Sequence, residues 1–136
     1  MQQLIKLILT HSYFWLMVSI VTCLTIIYLS FMDTGGLPSV SIPHADKYVH
    51  FTEYFFFHCV WFMYLFISFK KSFKKTSLLA LVMVVFFGII IEVLQRELTT
   101  HRSFDWGDVL FNSLGALSAI IFLSFFASKL KQLQSK

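Results

Sequence analysis

Residues 102–127 read RSFDWGDVLFNSLGALSAIIFLSFFA, so that Arg102, Asp105, Asp108 and Asn112 stand at the mouth of an apolar run. The run from Val109 to Ala127 is about as long as the ~20 helical residues needed to cross a hydrocarbon core. Three further runs match it: Tyr13 to Met32, Val49 to Phe69 and Ser77 to Gln95. Composition agrees, since 57% hydrophobic residues and only 13% charged ones depart from a soluble balance. The sequence therefore predicts an all-α integral membrane bundle of four transmembrane helices. The connectors 33–48, 70–76 and 96–108 leave no room for a soluble domain, and residues 1–136 read as one domain.

Lys6 before the first run resembles the start of a secretory signal. The run is longer than a signal core of about 7–15 residues, and no small-x-small cleavage pattern follows Met32, so it is expected to stay attached. Cys23 and Cys59 fall inside apolar runs, where a thiol behaves as a small hydrophobe.

Lys6, Lys70, Lys71, Lys74, Lys75, Lys129, Lys131 and Lys136 lie on one side of the implied topology; Lys47, Arg96 and Arg102 lie on the other. The positive-inside rule then places both termini and the Lys70–Lys75 loop in the cytoplasm. The pI of about 9.2 reflects lysines near anionic headgroups, and no nucleic-acid partner is called for. All seven acids, Asp33, Asp46, Glu53, Glu92, Glu97, Asp105 and Asp108, fall in or near the opposite, outer half. Acids count little in that rule, so their segregation points to a polar site on the outer face.

Helical spacing tests whether those residues can meet. At ~3.6 residues per turn, Asp46, which can cap the second helix, shares a face with His50 and Glu53 or Tyr54, and His58 continues it. Gly88, Glu92 and Gln95 share a face of the third helix, with Arg96 beside them. Asp105, Asp108, Asn112, Gly115 and Ala119 recur at three- and four-residue steps in the fourth. Between the first two spans, residues 33–38 carry turn chemistry, with Pro38 and Pro43 opposing helix. An aspartate facing lipid at the helix centre costs roughly 2.5–3.5 kcal/mol, so the stripes should turn inward and pair. Gly115 and Ala119 form a small-x-x-x-small surface for close helix approach.

DKYVHFTEYFFF (46–57), IEVLQ (91–95) and RSFDWGDVLFNSLGALSA (102–119), in this order, resemble the VanZ-like family of small bacterial integral membrane proteins. The family pattern of Asp-Lys-x-x-His-Phe-x-x-Tyr, Glu-x-x-Gln, Arg-x-x-Asp-x-x-Asp and Asn-x-x-Gly is met at Asp46, Lys47, His50, Phe51, Tyr54, Glu92, Gln95, Arg102, Asp105, Asp108, Asn112 and Gly115. The resemblance spans roughly residues 46–127. It implies a cell-membrane protein and, through the founding member, a link to teicoplanin resistance. His101 and Phe104 depart from the family's usual loop and bear on ligand selectivity.

Three function classes follow. In the first, an anionic or sugar-bearing envelope lipid is held in an outward pocket of Asp46, Lys47, His50, Tyr54, Glu92, Gln95, Arg102, Asp105, Asp108 and Asn112. Lys47, Arg102 and His50 would meet phosphate, while Asp105, Asp108 and Asn112 would meet hydroxyls. In the second, a membrane-embedded hydrolase or transferase uses His50 or Glu92 as general base and Arg102 to stabilise charge. In the third, the bundle serves structure or partner binding, and a homo-oligomer is compatible with it. The chain lacks a His-Glu-x-x-His helix, a Gly-x-Ser-x-Gly elbow and a phosphate loop. No cofactor is expected and no metal: Asp46, His50, Asp105 and Asp108 have suitable donor chemistry, but their spacing does not demand an ion. His58 reads as a packing group, the Phe55–Tyr64 aromatics as packing, and Trp106 as an interfacial anchor.

Overall fold

The computed structural model describes residues 11–33, 43–100 and 103–134. Five helices follow in order: α1 (Ser12–Phe31), α2 (Ala45–Phe69), α3 (Phe73–Leu98), α4 (Trp106–Ser124) and α5 (Ala127–Gln134). The first four are long and apolar enough to cross a membrane. At ~1.5 Å rise per residue their 19 to 26 residues match or exceed the ~30 Å hydrocarbon thickness. Among the described residues there is no strand.

Several helix ends extend beyond the apolar runs. α2 begins at Ala45 rather than Val49, α3 runs from Phe73 to Leu98 rather than from Ser77 to Gln95, and α4 begins at Trp106 rather than Val109. Charged residues at these ends continue the backbone hydrogen-bond ladder without belonging to the hydrocarbon span. The cap of α2 is His44, in the left-handed region, and Asp46 lies inside the first turn rather than at the cap. α4 ends at Ser124 instead of Ala127, and the separate α5 follows. Residues 34–42, with most of the anticipated turn and Pro38, lie outside the described residues, as do Lys6, His101, Arg102 and Lys136.

α2 is the centre of the bundle, packing most extensively on α4 and also on α1 and α3. Its core partners form two layers. Ile26, Tyr54, Phe57, Val84 and Ala116 fill one, while Phe62, Met63, Phe66, Ala80, Leu123 and Leu130 fill the other. Large apolar side chains instead face outward on α1 (Met17, Val21, Leu24, Tyr28), α3 (Leu78, Val82, Phe86) and α4 (Leu110, Leu117, Ile121). Such a continuous apolar exterior would aggregate in water and is what lipid solvates. Hydroxyls in α1 are satisfied locally: Ser19, Thr22 and Thr25 each donate to the carbonyl four residues back, at 2.8, 2.8 and 2.9 Å.

Two glutamines fasten elements that apolar packing leaves loose. The Gln95 amide nitrogen, fully buried, donates to the Ser30 carbonyl at 2.8 Å and ties α3 to the end of α1. Gln134 in α5 donates to the carbonyls of Phe66 and Lys71 at 2.7 and 3.1 Å, supplying partners where α2 runs out of its own. Gln95→Leu is expected to lower stability by about 1–3 kcal/mol, because a buried carbonyl acceptor loses its donor. Thermal melts in detergent check this, with protease sensitivity of α1 rising in parallel.

Candidate functional site

The N-terminal end of α2, the C-terminal end of α3 and the N-terminal end of α4 lie at the same end of the bundle. The contact that sets this geometry is Gly115. A Cβ there would stand 2.2 Å from the Phe51 carbonyl oxygen, so α4 can cross α2 at this depth only without a side chain. Toward that end from the crossing, Lys47 and His50 of α2 meet Asp105 and Asp108 of the α4 N-terminus.

Asp105 caps α4. Its carboxylate accepts from the Gly107 amide at 2.6 Å, while its own backbone N–H points to Glu92 Oε2 at 3.4 Å. Asp105 thus stands at the cap, just outside the helix whose stripe it extends. Lys47 Nζ lies among three carboxylates: it donates to Asp105, to Asp108 Oδ1 at 2.5 Å, and pairs with Asp46 at 3.2 Å. The other oxygen of Asp108 faces His50 Nε2 at 3.5 Å. With the Lys47 ammonium first and the Gly107 amide second, the Asp105 carboxyl is held below the usual carboxylate range. Its contribution to stability is therefore present above the ordinary aspartate pKa and lost as pH falls through the lowered value.

Burial increases with depth. Asp46 and Asp105 are open to the surface, Asp108 and His50 are buried, and Glu92 is 1% exposed. One nitrogen of His50 and one oxygen each from Glu92 and Asp108 lie within 4.8 Å of one another. Below them, Tyr54 and Asn112 pack against Gly88, where a Cβ would stand 3.2 Å from the tyrosine oxygen and 3.1 Å from the asparagine nitrogen. Among the described residues, Glu92 Oε1, the Tyr54 hydroxyl and both polar atoms of the Asn112 amide have no hydrogen-bond partner. Buried polar atoms are nearly always satisfied. Such unpartnered atoms also occur at His58, Trp61, Thr76 and Ser77, so what marks this place is that one of them, Glu92 Oε1, is ionisable and lies beside His50 and Asp108.

The structure thus brings together Asp46, Lys47, His50, Glu92, Asp105 and Asp108, with Tyr54 and Asn112 beneath them. Gln95 departs from the group: its amide is spent on the Ser30 carbonyl of α1. Arg102 lies outside the described residues. Lys47, which its charge had assigned to a phosphate, is here the ion-pair partner of Asp46, Asp105 and Asp108. His58 is fully buried in α2, with neither ring nitrogen partnered among the described residues. Trp106 is 75% exposed and meets Phe104 edge-on at 4.9 Å, an aromatic pair at the rim. Cys23 and Cys59 are free, half-buried thiols away from the cluster.

No curated protein and no solved structure matches the chain. A family model described as VanZ/LLP1 matches residues 2–127, covering all four long helices and every member of the polar cluster. A bundle of membrane-crossing helices whose inward stripes carry the family's residues in order thus has its place: the chain belongs to the VanZ/LLP1 family.

Proposed function

We propose that this protein binds the headgroup of an anionic or sugar-bearing envelope lipid at the cluster formed by α2, α3 and α4, on the outer face of the bacterial cytoplasmic membrane. The observation that carries the reading is the convergence of Lys47, His50, Glu92, Asp105 and Asp108 from three helices, with Glu92 Oε1 buried and without a hydrogen-bond partner among the described residues. Gln95, by contrast, is spent on the Ser30 carbonyl. Carboxylates at Asp46 and Asp105, still partly exposed, accept from headgroup hydroxyls, and Arg102 offers the planar fork that suits phosphate. The exposed Trp106 at the rim is a surface for a sugar ring or the lipid interface.

The outward orientation rests on the eight-to-three division of lysines and arginines. Family membership extends the proposal to tolerance of glycopeptides that act on envelope precursors. Lipidomics of protein purified in mild detergent tests the reading against Arg102→Ala. One envelope lipid enriched with the native protein and lost from the variant is expected. The same bulk lipid profile in both, with no enriched species, would contradict it.

A further inference from the structure

We propose that His50, Glu92 and Asp108 hold a divalent cation of the zinc type through one imidazole nitrogen and two carboxylate oxygens. The site goes beyond the lipid reading, and its ion binding can be read without any lipid. All three residues are buried, at 7%, 1% and 8% exposure, and come from three different helices. Their donor atoms lie within 4.8 Å of one another.

Three observations separate this set from a mere group of acids. The first is Glu92 Oε1, an ionisable atom without a partner among the described residues, on a side chain whose carboxylate reaches the other two donors. The second is the His50–Asp108 distance of 3.5 Å. A good N–H···O bond spans about 2.7–3.2 Å, whereas two ligands of a tetrahedral ion bound at about 2.0–2.2 Å stand roughly 3.3–3.6 Å apart. The pair is loose for a hydrogen bond and correctly spaced for a shared ion. The third is the support around the donors. Lys47 holds Asp108 Oδ1 and leaves Oδ2 toward His50, while the Asp105 N–H engages Glu92 Oε2. Contacts of this kind orient metal ligands and raise affinity.

Charge points the same way. Among the described residues Asp46, Asp105, Asp108 and Glu92 face one ammonium, Lys47, which is ion-paired with the first three. A mixed nitrogen and oxygen donor set disfavours magnesium and calcium, which take oxygen, and suits zinc and its later transition-metal neighbours. Three protein ligands leave a coordination position open. That position can accept a phosphate oxygen, which joins the inference to the lipid reading. From the sequence, Asp46, His50, Asp105 and Asp108 are the candidate donors and no ion is expected; Glu92 is not among them, and α3 brings it to His50 and Asp108.

The test uses full-length protein, stripped with chelator in detergent and equilibrated with Zn2+ alone. Metal content comes from mass spectrometry, and affinity from competition with a chromophoric chelator. One ion per chain is expected, with Glu92→Gln and His50→Gln each weakening binding at least tenfold. Glu97→Gln, which removes an exposed carboxylate paired with Arg96 outside the cluster, should leave affinity within threefold. Equal binding by native and Glu92→Gln proteins, or an equal loss on Glu97→Gln, overturns the proposal. Should the triad variants fail to fold, Co2+ absorption of the native protein decides: a coordinated imidazole–carboxylate spectrum supports the site, and that of the hydrated ion overturns it. Lipidomics on the same samples separates the two readings. Zinc bound without an enriched lipid sustains the ion site alone; an enriched lipid with no zinc bound overturns it.

Discussion

Gly115→Leu is expected to abolish the folded bundle, and Gly115→Ala to weaken it severely. A Cβ at position 115 would lie 2.2 Å from the Phe51 carbonyl oxygen, 3.0 Å from its carbon and 3.1 Å from the Phe55 nitrogen. All three are helix backbone atoms, so no rotamer change relieves the contact. The alternative is to move α4 away from α2, which breaks the largest interface in the molecule and separates Lys47 from Asp108. Overpacking a core typically costs about 1–3 kcal/mol when side chains can yield; with rigid backbone the alanine should sit at or above the top of that range. Gly107→Ala gives the contrast, because its nearest neighbours are the Asp105 carboxylate and the end of the Lys47 side chain, which can shift. Size-exclusion profiles and melts in detergent should rank the variants wild type, Gly107→Ala, Gly115→Ala, Gly115→Leu. An alanine at 115 that melts with the wild type would remove the close crossing from the explanation.

Lys47→Met should have the second largest effect. It takes away the ammonium among Asp46, Asp105 and Asp108 while retaining the apolar stem. Breaking a buried pair by deleting one partner costs about 3–5 kcal/mol. Here solvent at Asp46 and Asp105 screens part of the repulsion, which places the expected loss toward the lower end of that range. Adding Asp108→Asn to Lys47→Met should restore some of it, since the buried acid is what the missing ammonium leaves uncompensated. Denaturation of the single and double variants in detergent measures the recovery; additive losses instead would mean that Lys47 and Asp108 act independently.

The number of membrane-length helices and their inward faces were legible because a membrane simplifies the physics. An apolar run must be long enough, and an ionisable residue within it must turn from lipid. Those two constraints place Asp108, Asn112, Gly115 and Ala119 on one buried stripe, and Gly88, Glu92 and Gln95 on another, as the structure has them. Helix ends were less legible, since Asp46, Lys47, Lys74 and Glu97 lie in helical turns that hydropathy counts as loop. α5 escaped notice because eight residues with Leu130 and Leu133 among lysines and glutamines are too short and polar to register as a span. Its signal is that Leu130 and Leu133 share a face at a three-residue step.

Within the cluster, spacing indicated which residues share a helix face but not which neighbour that face meets. Gln95 sits one turn from Glu92, yet it points at α1 while Glu92 points at α4. Lys47 similarly reads as a surface cation beside Asp46 until α4 delivers Asp105 and Asp108 to it. The juxtaposition of His50, Glu92 and Asp108 depends on three helices at once, and no linear motif contains it.

Whether the chamber is a ligand site or an internal fastening is decided by separating retention from stability, and Asp108→Asn does so. The substitution keeps the shape, and Lys47 still has Asp46 and Asp105 as counter-ions. The measurement is native mass spectrometry of the protein released from its own membrane, with the thermal midpoint taken on the same preparation. The expected result is a wild-type protein carrying one envelope lipid and an Asp108→Asn protein that melts within a few degrees of it but carries none. A variant that retains the lipid in full, or a wild type that carries only bulk phospholipid, would contradict a ligand-binding role for the cluster.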